Sequence, residues 1–480
     1  LGGLTGSNYK TFMLYLSELV VNHAVDLNDP NSAYNQLEIA NSSIKNADTI
    51  TGTNNRQVAM AQENGMDTSG ITGYQASKVT LTNTATGTIT LSGDESTGMY
   101  AKRGLIYNDG TINVGKKSTA IYLVDDGLGP VGTQGAAVSN NGTITLGEDS
   151  TGMYYKVESK GTNTAIGGGI INNGKIQSTA NNVIAMSFDS PYASKTMENS
   201  ATGVIDLQGQ NSTGMFATGA GTYTAVNNGT IKLASSSNVN TPNIGMYTDK
   251  SGITLESNGT IEGGDKTVGM YGYGINLQSN AITKVGAGGT GLYSKGGNVT
   301  VNGGTLSVGE NGAEGSNDAV GVYYVGAGGT VTNNAANINI GNSAYGFVVQ
   351  NENGAAVTLK TSTPNVTLRN DAVYAYSNNR AGSVTNTSVL NSTGNGNYGI
   401  YSAGTVTNNG NINFGTGIGN VGVYSILGGT ATNNARITVG ASDAAAEKFG
   451  IGMAAGYKSS DSGNIINSST GIINVTGKNS

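Results

Sequence analysis

The sequence predicts an all-β protein, a right-handed parallel β-helix of about 14 rungs with three short strands in each rung. Three observations predict it: a pentapeptide that recurs along the chain, a second motif at a nearly constant distance before it, and a weaker third motif that completes the period. Repeats of about 20 to 50 residues with strand-type alternation are typical of solenoids, because one repeat buries its apolar face only against its neighbours. We therefore expect one continuous β-helical segment over residues 1–480.

The pentapeptide is STGMY, and it predicts one strand of each rung. It occurs at Ser96–Tyr100 and again at Ser150–Tyr154, and related copies such as Ile244–Tyr247 follow toward the C-terminus.

The second motif is Asn-Asn-Gly-Thr-Ile, found at Asn140–Ile144 and Asn227–Ile231. The residues that follow Gly142 alternate polar and apolar, as half-buried strands do, so Ile144 and Leu146 are expected to point inward. The third motif, at Gly329–Asn334 and Gly404–Asn409, has the same alternation. Three strands per turn predict a triangular coil.

The 76 glycines and the recurrent Asn-Asn-Gly predict tight corners between strands. Glycine readily takes positive φ, and asparagine tolerates the left-handed region. Corner asparagines stacked from rung to rung are also expected to hydrogen-bond one another as an amide ladder.

One segment near the N-terminus, residues 16–45, departs from the repeat and is predicted to be a partly helical insertion. Asp29 can cap a helix and Pro30 suits its first position. The apolar residues recur at helical spacing; they are Ala33, Leu37, Ala40 and Ile44. The segment is interpreted as a packing flap in preference to a binding element.

A tyrosine follows the apolar residue of the pentapeptide strand in most rungs, so the rings should stack into a column. An outward orientation is favoured because the apolar residues two positions apart look inward; the alternative is that the small glycine before tyrosine lets the ring fill the core. If the rings face outward, they are candidates for binding a sugar or a protein, against the simpler hypothesis of a stabilising cross-strand stack. The candidates are Tyr100, Tyr122, Tyr154, Tyr247, Tyr271, Tyr293, Tyr323, Tyr401 and Tyr424.

Insertions between strands are the other candidate recognition elements, since solenoid insertions often carry binding. They are expected at 124–138, 155–169, 187–198 and 309–318. Four of their residues complete the candidate ligand-binding set: Asp125, Asp126, Asp189 and Tyr192.

Catalysis is not expected. The chain has one histidine, His23, and no serine-hydrolase motif, so a Ser-His-Asp enzyme is unsupported. Many β-helices cleave polysaccharides with carboxylates that converge from adjacent rungs, and Asp125, Asp126 and Asp189 keep that alternative open. No phosphate-binding loop occurs, and no cofactor or metal site is predicted.

Composition restricts the remaining classes of function. Only 11% of the residues are charged and the net charge is −6, so the clustered Lys and Arg of a nucleic-acid-binding surface are absent. The chain has no cysteine, which suits an exported protein that crosses an oxidising compartment partly unfolded. At one predicted corner, unlike charges should stack on successive rungs: Asp94 and Glu95, Lys116 and Lys117, Glu148 and Asp149.

The tandem NNGTI and STGMY units, with GTVTNN between them, resemble the passenger domains of the large monomeric (type Va) autotransporter adhesins of fusobacteria, the RadD-like family. The resemblance extends from about Ile50 to Ser480 and rests on rung residues, so no binding residue is carried over. It implies a monomeric passenger displayed on the bacterial surface and anchored in the outer membrane by a C-terminal β-barrel that this sequence lacks. It further implies binding to a glycan or protein receptor on other bacteria or host cells, including galactose-type sugars and immune-cell receptors.

The sequence leaves three hypotheses of function. The first is a surface-displayed adhesin that mediates coaggregation or host attachment. The second is a structural stalk that presents a binding head elsewhere in the chain. The third is a β-helix polysaccharide lyase or hydrolase.

Overall fold

The structure is a computed structural model that describes residues 18–29, 36–40, 42–63, 80–125, 137–158, 168–193, 196–312, 318–456 and 461–478. The chain divides into two compact units. Unit 1 is Leu1–Leu233 with Met246–Ile253, and unit 2 is Ala234–Gly245 with Thr254–Ser480. The strand Ile244–Thr248 straddles the division, with its last three residues in unit 1. Throughout the described residues the regular structure is β-strand, without a helix.

In unit 1 each rung passes through three strands, which we assign in chain order to sheets A, B and C. Sheet A contains Glu18–Val21, Ser43–Asn46, Thr80–Asn83, Leu105–Asn108, Val138–Asn140, Ile170–Asn172, Met197–Asn199 and Thr224–Asn227. Sheet B contains Val25–Asp26, Thr49–Gly52, Thr88–Leu91, Thr111–Val114, Thr143–Leu146, Lys175–Ser178, Val204–Leu207 and Thr230–Leu233. Sheet C contains Gln36–Ala40, Val58–Glu63, Thr97–Lys102, Thr119–Asp125, Thr151–Val157, Ile184–Asp189 and Thr213–Thr218, followed by the end of Ile244–Thr248.

In unit 2 the same letters are used for strands that hold the same place in the rung. Sheet A contains Thr254–Ser257, Gly274–Leu277, Val299–Val301, Thr330–Asn333, Thr358–Thr361, Ser383–Asn386, Thr405–Asn408, Thr430–Asn433 and Asn464–Asn467. Sheet C contains Val268–Gly272, Thr290–Ser294, Val320–Tyr324, Tyr345–Val349, Val373–Ser377, Tyr398–Ser402, Val421–Ser425 and Ile451–Ala455.

The remaining place in the rungs of unit 2 is shared by two sheets. Sheet B contains Thr260–Gly263, Ile282–Val285, Thr305–Val308 and Asn337–Ile340. Sheet D contains Val366–Leu368, Leu390–Ser392, Ile412–Ile418, Arg436–Ala441 and Ile472–Val475.

Each unit is a right-handed parallel β-helix, as the sequence predicts. Every strand pairs in parallel with the equivalent strand one rung away, so that Ile112, for example, lies between Ile89 and Ile144. Right-handed crossovers are the rule for parallel strands joined in this way. The described residues contain sixteen strands in the sheet C position, so the expected 14 rungs is slightly too low.

The core of each unit is a set of apolar columns that the alternation predicts. In Thr143–Leu146 the isoleucine and the leucine are buried while the two threonines are partly exposed. Burying one such aliphatic side chain contributes about 1.5 to 3 kcal/mol, and each column repeats that contribution in every rung. The isoleucine column of sheet B in unit 1, with no solvent exposure, is Ile50, Ile89, Ile112, Ile144, Ile176, Ile205 and Ile231.

A buried ladder of asparagine side chains runs along the end of sheet A and confirms the predicted amide ladder. Asn108 Nδ2 donates to Asn140 Oδ1 at 2.7 Å, and Asn140 Nδ2 donates to Asn172 Oδ1 at 2.8 Å. Asn140 Nδ2 also donates to the carbonyl of Gly142 at 3.2 Å, which ties the ladder to the corner. In unit 1 its fully buried members are Asn46, Asn83, Asn108, Asn140, Asn172, Asn199 and Asn227.

The glycine of the Asn-Asn-Gly corner has a different role from the expected one. Gly142 has no positive φ. A Cβ on it would instead lie 1.9 Å from the carbonyl oxygen of Gly110 in the preceding rung, and one on Gly174 would lie 2.1 Å from that of Gly142. Glycine is required here because the stacked corners approach too closely for a side chain.

At the corner between sheets B and C, positive φ is carried mainly by charged residues and asparagines, whereas at other corners glycines such as Gly303 and Gly304 carry it as expected. Arg56, Glu95, Lys117 and Asp149 have φ of 61°, 56°, 54° and 57°. The expected stacking of unlike charges is confirmed at this corner, where Lys116 Nζ lies 2.6 Å from Glu148 Oε2. Both side chains are well exposed, so such pairs add at most about 1 kcal/mol.

The predicted helix near the N-terminus is wrong over its described part. Gln36–Ala40 and Ser43–Asn46 are strands, and Ile44 is fully buried between Leu19 and Leu81. Residues 30–35, including Ala33, lie outside the described residues. The spacing of Leu37 and Ile44 is compatible with two successive strands as well as with a helix face, and the cross-rung pairing decides in favour of strands.

Candidate functional site

The tyrosine column lies on the outer face of sheet C because side chains alternate along each strand. In Thr97–Lys102, Met99 and Ala101 are fully buried, whereas Tyr100 is partly exposed. The same pattern holds for all nine predicted tyrosines of the column, each of which is half-buried. The favoured outward orientation is thus confirmed, and the alternative of rings in the core does not apply to these residues.

The rings of unit 1 stack on one another in register. Tyr122 lies between Tyr100 and Tyr154 in the strand pairing. Its ring centroid is 4.9 Å from that of Tyr154 with the planes 8° apart, and 5.6 Å from that of Tyr100 in an edge-on arrangement. Phe216 and Tyr247 form a further stacked pair at 5.2 Å. The spacing follows the distance between neighbouring strands.

Unit 2 repeats this arrangement. Tyr293 stacks on Tyr271 at 4.6 Å with the planes 5° apart, and on Tyr323 at 5.2 Å. Tyr401 and Tyr424 stack at 5.0 Å. Aromatic pairs of this kind contribute about 0.5 to 1.5 kcal/mol beyond their buried area, so the column stabilises the rungs that carry it.

The aromatic column is interrupted at one position in each unit. Ser187 pairs with Tyr154 on one side and Phe216 on the other, and Val348 pairs with Tyr323 in unit 2. A ring face covered by its neighbour cannot stack on a ligand. Within the column, face-on contacts are therefore confined to the interruptions and the ends, while ring edges and phenol hydroxyls line the rest.

One member of the column, Tyr376, is not predicted from the sequence. It lies between Val348 and Tyr401 in the strand pairing, and its ring packs edge-on against Tyr401 at 5.4 Å. Its strand reads Val-Tyr-Ala-Tyr, so a tyrosine replaces the glycine of the motif and hides the repeat. That first tyrosine, Tyr374, is fully buried, and its hydroxyl lies 2.9 Å from the hydroxyl of Ser388.

Partial burial changes the acidity of the column. Burial, with smaller contributions from Tyr122 and the carboxylate of Asp189, raises the pKa of Tyr154 to about 12. Burial, with a contribution from Tyr424, raises the pKa of Tyr401 to about 12 as well. The phenols therefore remain protonated at neutral pH and present hydroxyl groups to solvent.

The structure describes three of the four predicted insertion residues, Asp125, Asp189 and Tyr192. Asp125 ends one strand, and its carboxylate accepts a 3.4 Å hydrogen bond from the buried Tyr155 hydroxyl. Asp189 ends a strand two rungs further along and pairs in register with Lys156 of the strand between them. Tyr192 is partly exposed, and its hydroxyl oxygen is buried without a hydrogen-bond partner among the described residues. Asp126 lies outside the described residues.

Beside the column, sheet C carries a buried aromatic cluster that the sequence reasoning also missed. Tyr155 and Phe188 are fully buried with their rings 5.2 Å apart, and Tyr223 packs on Phe188 at 5.1 Å. The Tyr223 hydroxyl donates to the carbonyl of Thr218 at 2.8 Å.

The described ranges contain no group of three or more His, Asp or Glu side chains placed to hold a metal ion. They also contain no helix with the length and apolar character of a membrane span.

A family model described as the BigA third pectate lyase-like domain matches the chain twice, at residues 17–191 and 253–418. The two matches together cover more than half of the chain. The chain belongs to this family. No curated protein and no solved structure matches the chain.

BigA is an autotransporter-like surface protein, so membership of the BigA family supports a β-helical passenger of a bacterial surface protein in general. The narrower resemblance to the fusobacterial RadD-like adhesins is not confirmed by this match and stays a prediction. The term pectate lyase-like describes the fold and carries no statement about catalysis, so the expectation that the chain is not an enzyme also stays a prediction.

Proposed function

We propose that this chain is the surface-displayed passenger of an outer-membrane adhesin and that the aromatic column of sheet C is its attachment surface. The observation that carries the proposal is the outward orientation of tyrosines in register along both units, such as Tyr271 and Tyr293 with their rings 4.6 Å apart. Tyrosine supplies a large, rigid contact surface with a polar tip, and it is enriched in the centres of protein interfaces.

The repetition of the column favours a receptor with many weak contact points. Each rung that carries a column tyrosine adds one ring edge and one phenol hydroxyl at the spacing of neighbouring strands, so a long glycan or an extended protein surface can bind several rungs at once. Linked weak contacts of this kind give avidity well above the affinity of one contact. The partner class is a glycan or protein receptor on another bacterium or a host cell, including an immune-cell receptor, and the passenger acts as a monomer.

A specific observation also favours the stalk hypothesis. The rings of Tyr122 and Tyr154 cover each other's faces, and the buried asparagine ladder adds rigidity that a pure spacer would need. In that case the column only stabilises the coil, and the binding surface lies elsewhere in the protein. The adhesin proposal includes no catalytic step.

The deciding experiment is binding of the purified 480-residue chain to bacterial partner cells and host cells, with and without free galactose-type sugars. Saturable binding is expected. The test variant replaces Tyr293 and Tyr323 with valine, the residue that the column itself carries at Val348, and binding should fall at least fivefold. Sugar competition separates a glycan receptor from a protein receptor.

The matched control replaces two adjacent outward threonines of sheet A in the same unit, Thr300 and Thr332, with valine. This control should bind like the unmodified chain. Equal losses in both double variants would reject the aromatic column as the attachment surface. Absence of binding by the unmodified chain to every cell type would favour the stalk.

A further inference from the structure

Sheet B of unit 2 stops at Asn337–Ile340, and the local sequence supplies a physical reason. The next strand in the same place, Val366–Leu368, pairs onward with Leu390–Ser392 and belongs to sheet D. Four residues, 362–365, connect it to sheet A, whereas three residues, 334–336, make the same connection one rung earlier. Pro364 is among the four and cannot donate a main-chain hydrogen bond. The proline distinguishes this connection, since the four-residue connection at 278–281 leaves sheet B continuous.

The side-chain hydrogen bonds of the buried ladder are present in the rung of this break as well. Asn333 Nδ2 donates to Thr363 Oγ1 at 2.9 Å, and Thr361 Oγ1 donates to Asn386 Oδ1 at 2.9 Å. Two threonines, both almost fully buried, thus replace the single asparagine of a regular rung. Asn333 and Asn386 thus each keep a side-chain partner in this rung.

A cavity of about 450 Å³ lies on the outer side of this break. Its volume is within the range of about 300 to 1,000 Å³ that small-molecule sites occupy. Its lining is polar and contains no aromatic ring, which suits a hydroxylated ligand better than an apolar one. Its polar side chains include those of Glu310, Asn339, Asn342, Thr367 and Arg369.

Two polar groups in the lining are suited to bind a ligand. The Oδ1 atom of Asn342 is buried and accepts no hydrogen bond within the described structure. A buried carbonyl oxygen without a donor is unfavourable, and rotation of the Asn342 side chain into the cavity would let a ligand hydroxyl satisfy it. The Arg369 side chain is exposed at the cavity and forms no ion pair with any residue that the structure describes. A guanidinium in this position is suited to bidentate binding of a carboxylate.

The other polar groups fit hydroxyls. Asn339 already donates its Nδ2 to Ser307 Oγ at 2.8 Å, which orients its Oδ1 as an acceptor. Thr367 points outward from the first strand of sheet D and is exposed. Glu310 lies one rung before Asn342, whereas Arg369 lies one rung after it. The Glu310 carboxylate can therefore accept a hydrogen bond from a sugar hydroxyl at a distance from a ligand carboxylate bound at Arg369.

We propose that this cavity binds the acidic sugar of a glycan. Arg369 pairs with the sugar carboxylate, Asn342 Oδ1 accepts a hydroxyl, and Glu310 and Thr367 bind further hydroxyls. The site lies on sheets B and D, so it is separate from the aromatic column of sheet C and does not depend on the proposed adhesive role of that column.

The test measures binding of three monosaccharides to the whole chain by ligand-detected NMR: glucuronic acid, N-acetylneuraminic acid and the neutral control galactose. At least one of the acids should bind at least fivefold more tightly than galactose, and which acid binds identifies the type of acidic sugar. Arg369→Gln should reduce binding of that acid at least tenfold. Asn342→Leu should also reduce it, because the hydroxyl acceptor is lost.

The matched control is Arg436→Gln, which removes an exposed arginine from sheet D of the same unit outside the cavity. It should leave binding within twofold of the unmodified chain and shows whether net charge alone matters. Glu310→Gln separates ligand classes: an acidic sugar should bind equally or more tightly, whereas a ligand held by its ammonium group should be lost. Equal affinity for acids and galactose, equal losses in the two arginine variants, or loss of acid binding in Glu310→Gln would each overturn the proposal.

Discussion

The side-chain amide of Asn140 donates to Asn172 Oδ1 at 2.8 Å, and neither side chain is exposed to solvent. Asn140 in turn accepts from Asn108, so each ladder residue is both donor and acceptor. An apolar residue could fill the same space but would leave both neighbours without partners. Within the run of asparagines in unit 1, the ladder therefore favours asparagine at this position, and one substitution affects three rungs.

Asn140→Ala should lower the free energy of unfolding by about 2 to 5 kcal/mol, because it leaves a buried donor on Asn108 and a buried acceptor on Asn172. Urea denaturation followed by circular dichroism measures the change. The control is the next residue: Asn141→Ala removes two exposed hydrogen bonds, one donated to Asp109 and one accepted from Asn173, and should cost at most about 1 kcal/mol. Similar losses in both variants would show that the ladder does not stabilise the coil.

Gly142→Ala should be strongly destabilising, by at least about 2 kcal/mol, because its Cβ would lie 1.9 Å from the carbonyl oxygen of Gly110. Thermal unfolding measures it. Gly274→Ala is the matched control, since the nearest atom to its Cβ would be Thr254 Oγ1 at 3.4 Å and its φ is not in the left-handed region. This control should be neutral or stabilise by up to about 1 kcal/mol. A tolerated Gly142→Ala would reject close approach as the reason for the glycine.

Tyr154 and Tyr155 are adjacent in the chain but face opposite sides of sheet C. Tyr155→Ala should cost about 3 to 5 kcal/mol, because it empties a fully buried position that packs against Phe188. Tyr154→Ala should cost about 1 kcal/mol, the value of a half-exposed stack with Tyr122. Comparison of the two unfolding curves tests the assignment of faces. A larger loss in Tyr154→Ala would contradict it.

The column should make the coil sensitive to alkaline pH. The pKa of Tyr154 and of Tyr401 is about 12 in the folded protein, above the ordinary value of 10.0. A raised pKa means that the folded state holds the proton more tightly, so this contribution to stability is complete below about pH 10 and is lost as pH rises toward 12. Ultraviolet titration of tyrosinate should show a later midpoint for the native chain than for the urea-unfolded chain. Coincident titration curves would contradict the burial of these phenols.

Much of the fold could be predicted because each rung buries its apolar residues at equivalent strand positions. The alternation in Thr143–Leu146 reports which side chains are inside, and stacking identical rungs places isoleucine on isoleucine and asparagine on asparagine. The predicted column of tyrosines and the amide ladder follow from the same argument. Where the motif is degraded the prediction weakens: Met186 takes the position of Met153, although the strand Ile184–Asp189 lacks the Thr-Gly-Met-Tyr pattern.

The sequence predicted the tyrosine column as a candidate site, but it did not predict all of its members or the cavity beside Arg369. The nine tyrosines could be named from their place after the apolar residue, yet Tyr376 was hidden by a motif in which Tyr374 replaces glycine. The cavity beside Arg369 had no local signal at all. It lies where sheet B ends and sheet D begins, beside the connection that contains Pro364, and it is visible only when neighbouring rungs are placed side by side.

The sequence alone determined the parallel β-helix, its three strands per rung, its inward apolar columns and its ladder of corner asparagines, because all of these repeat along the chain. Only the tertiary structure decided that the segment near Leu37 and Ile44 forms strands, that Gly142 avoids a clash with the preceding rung, and that charged residues such as Lys117 take the left-handed turns. Those choices depend on atoms of other rungs, which lie about 20 to 40 residues away in the chain but about 5 Å away in space.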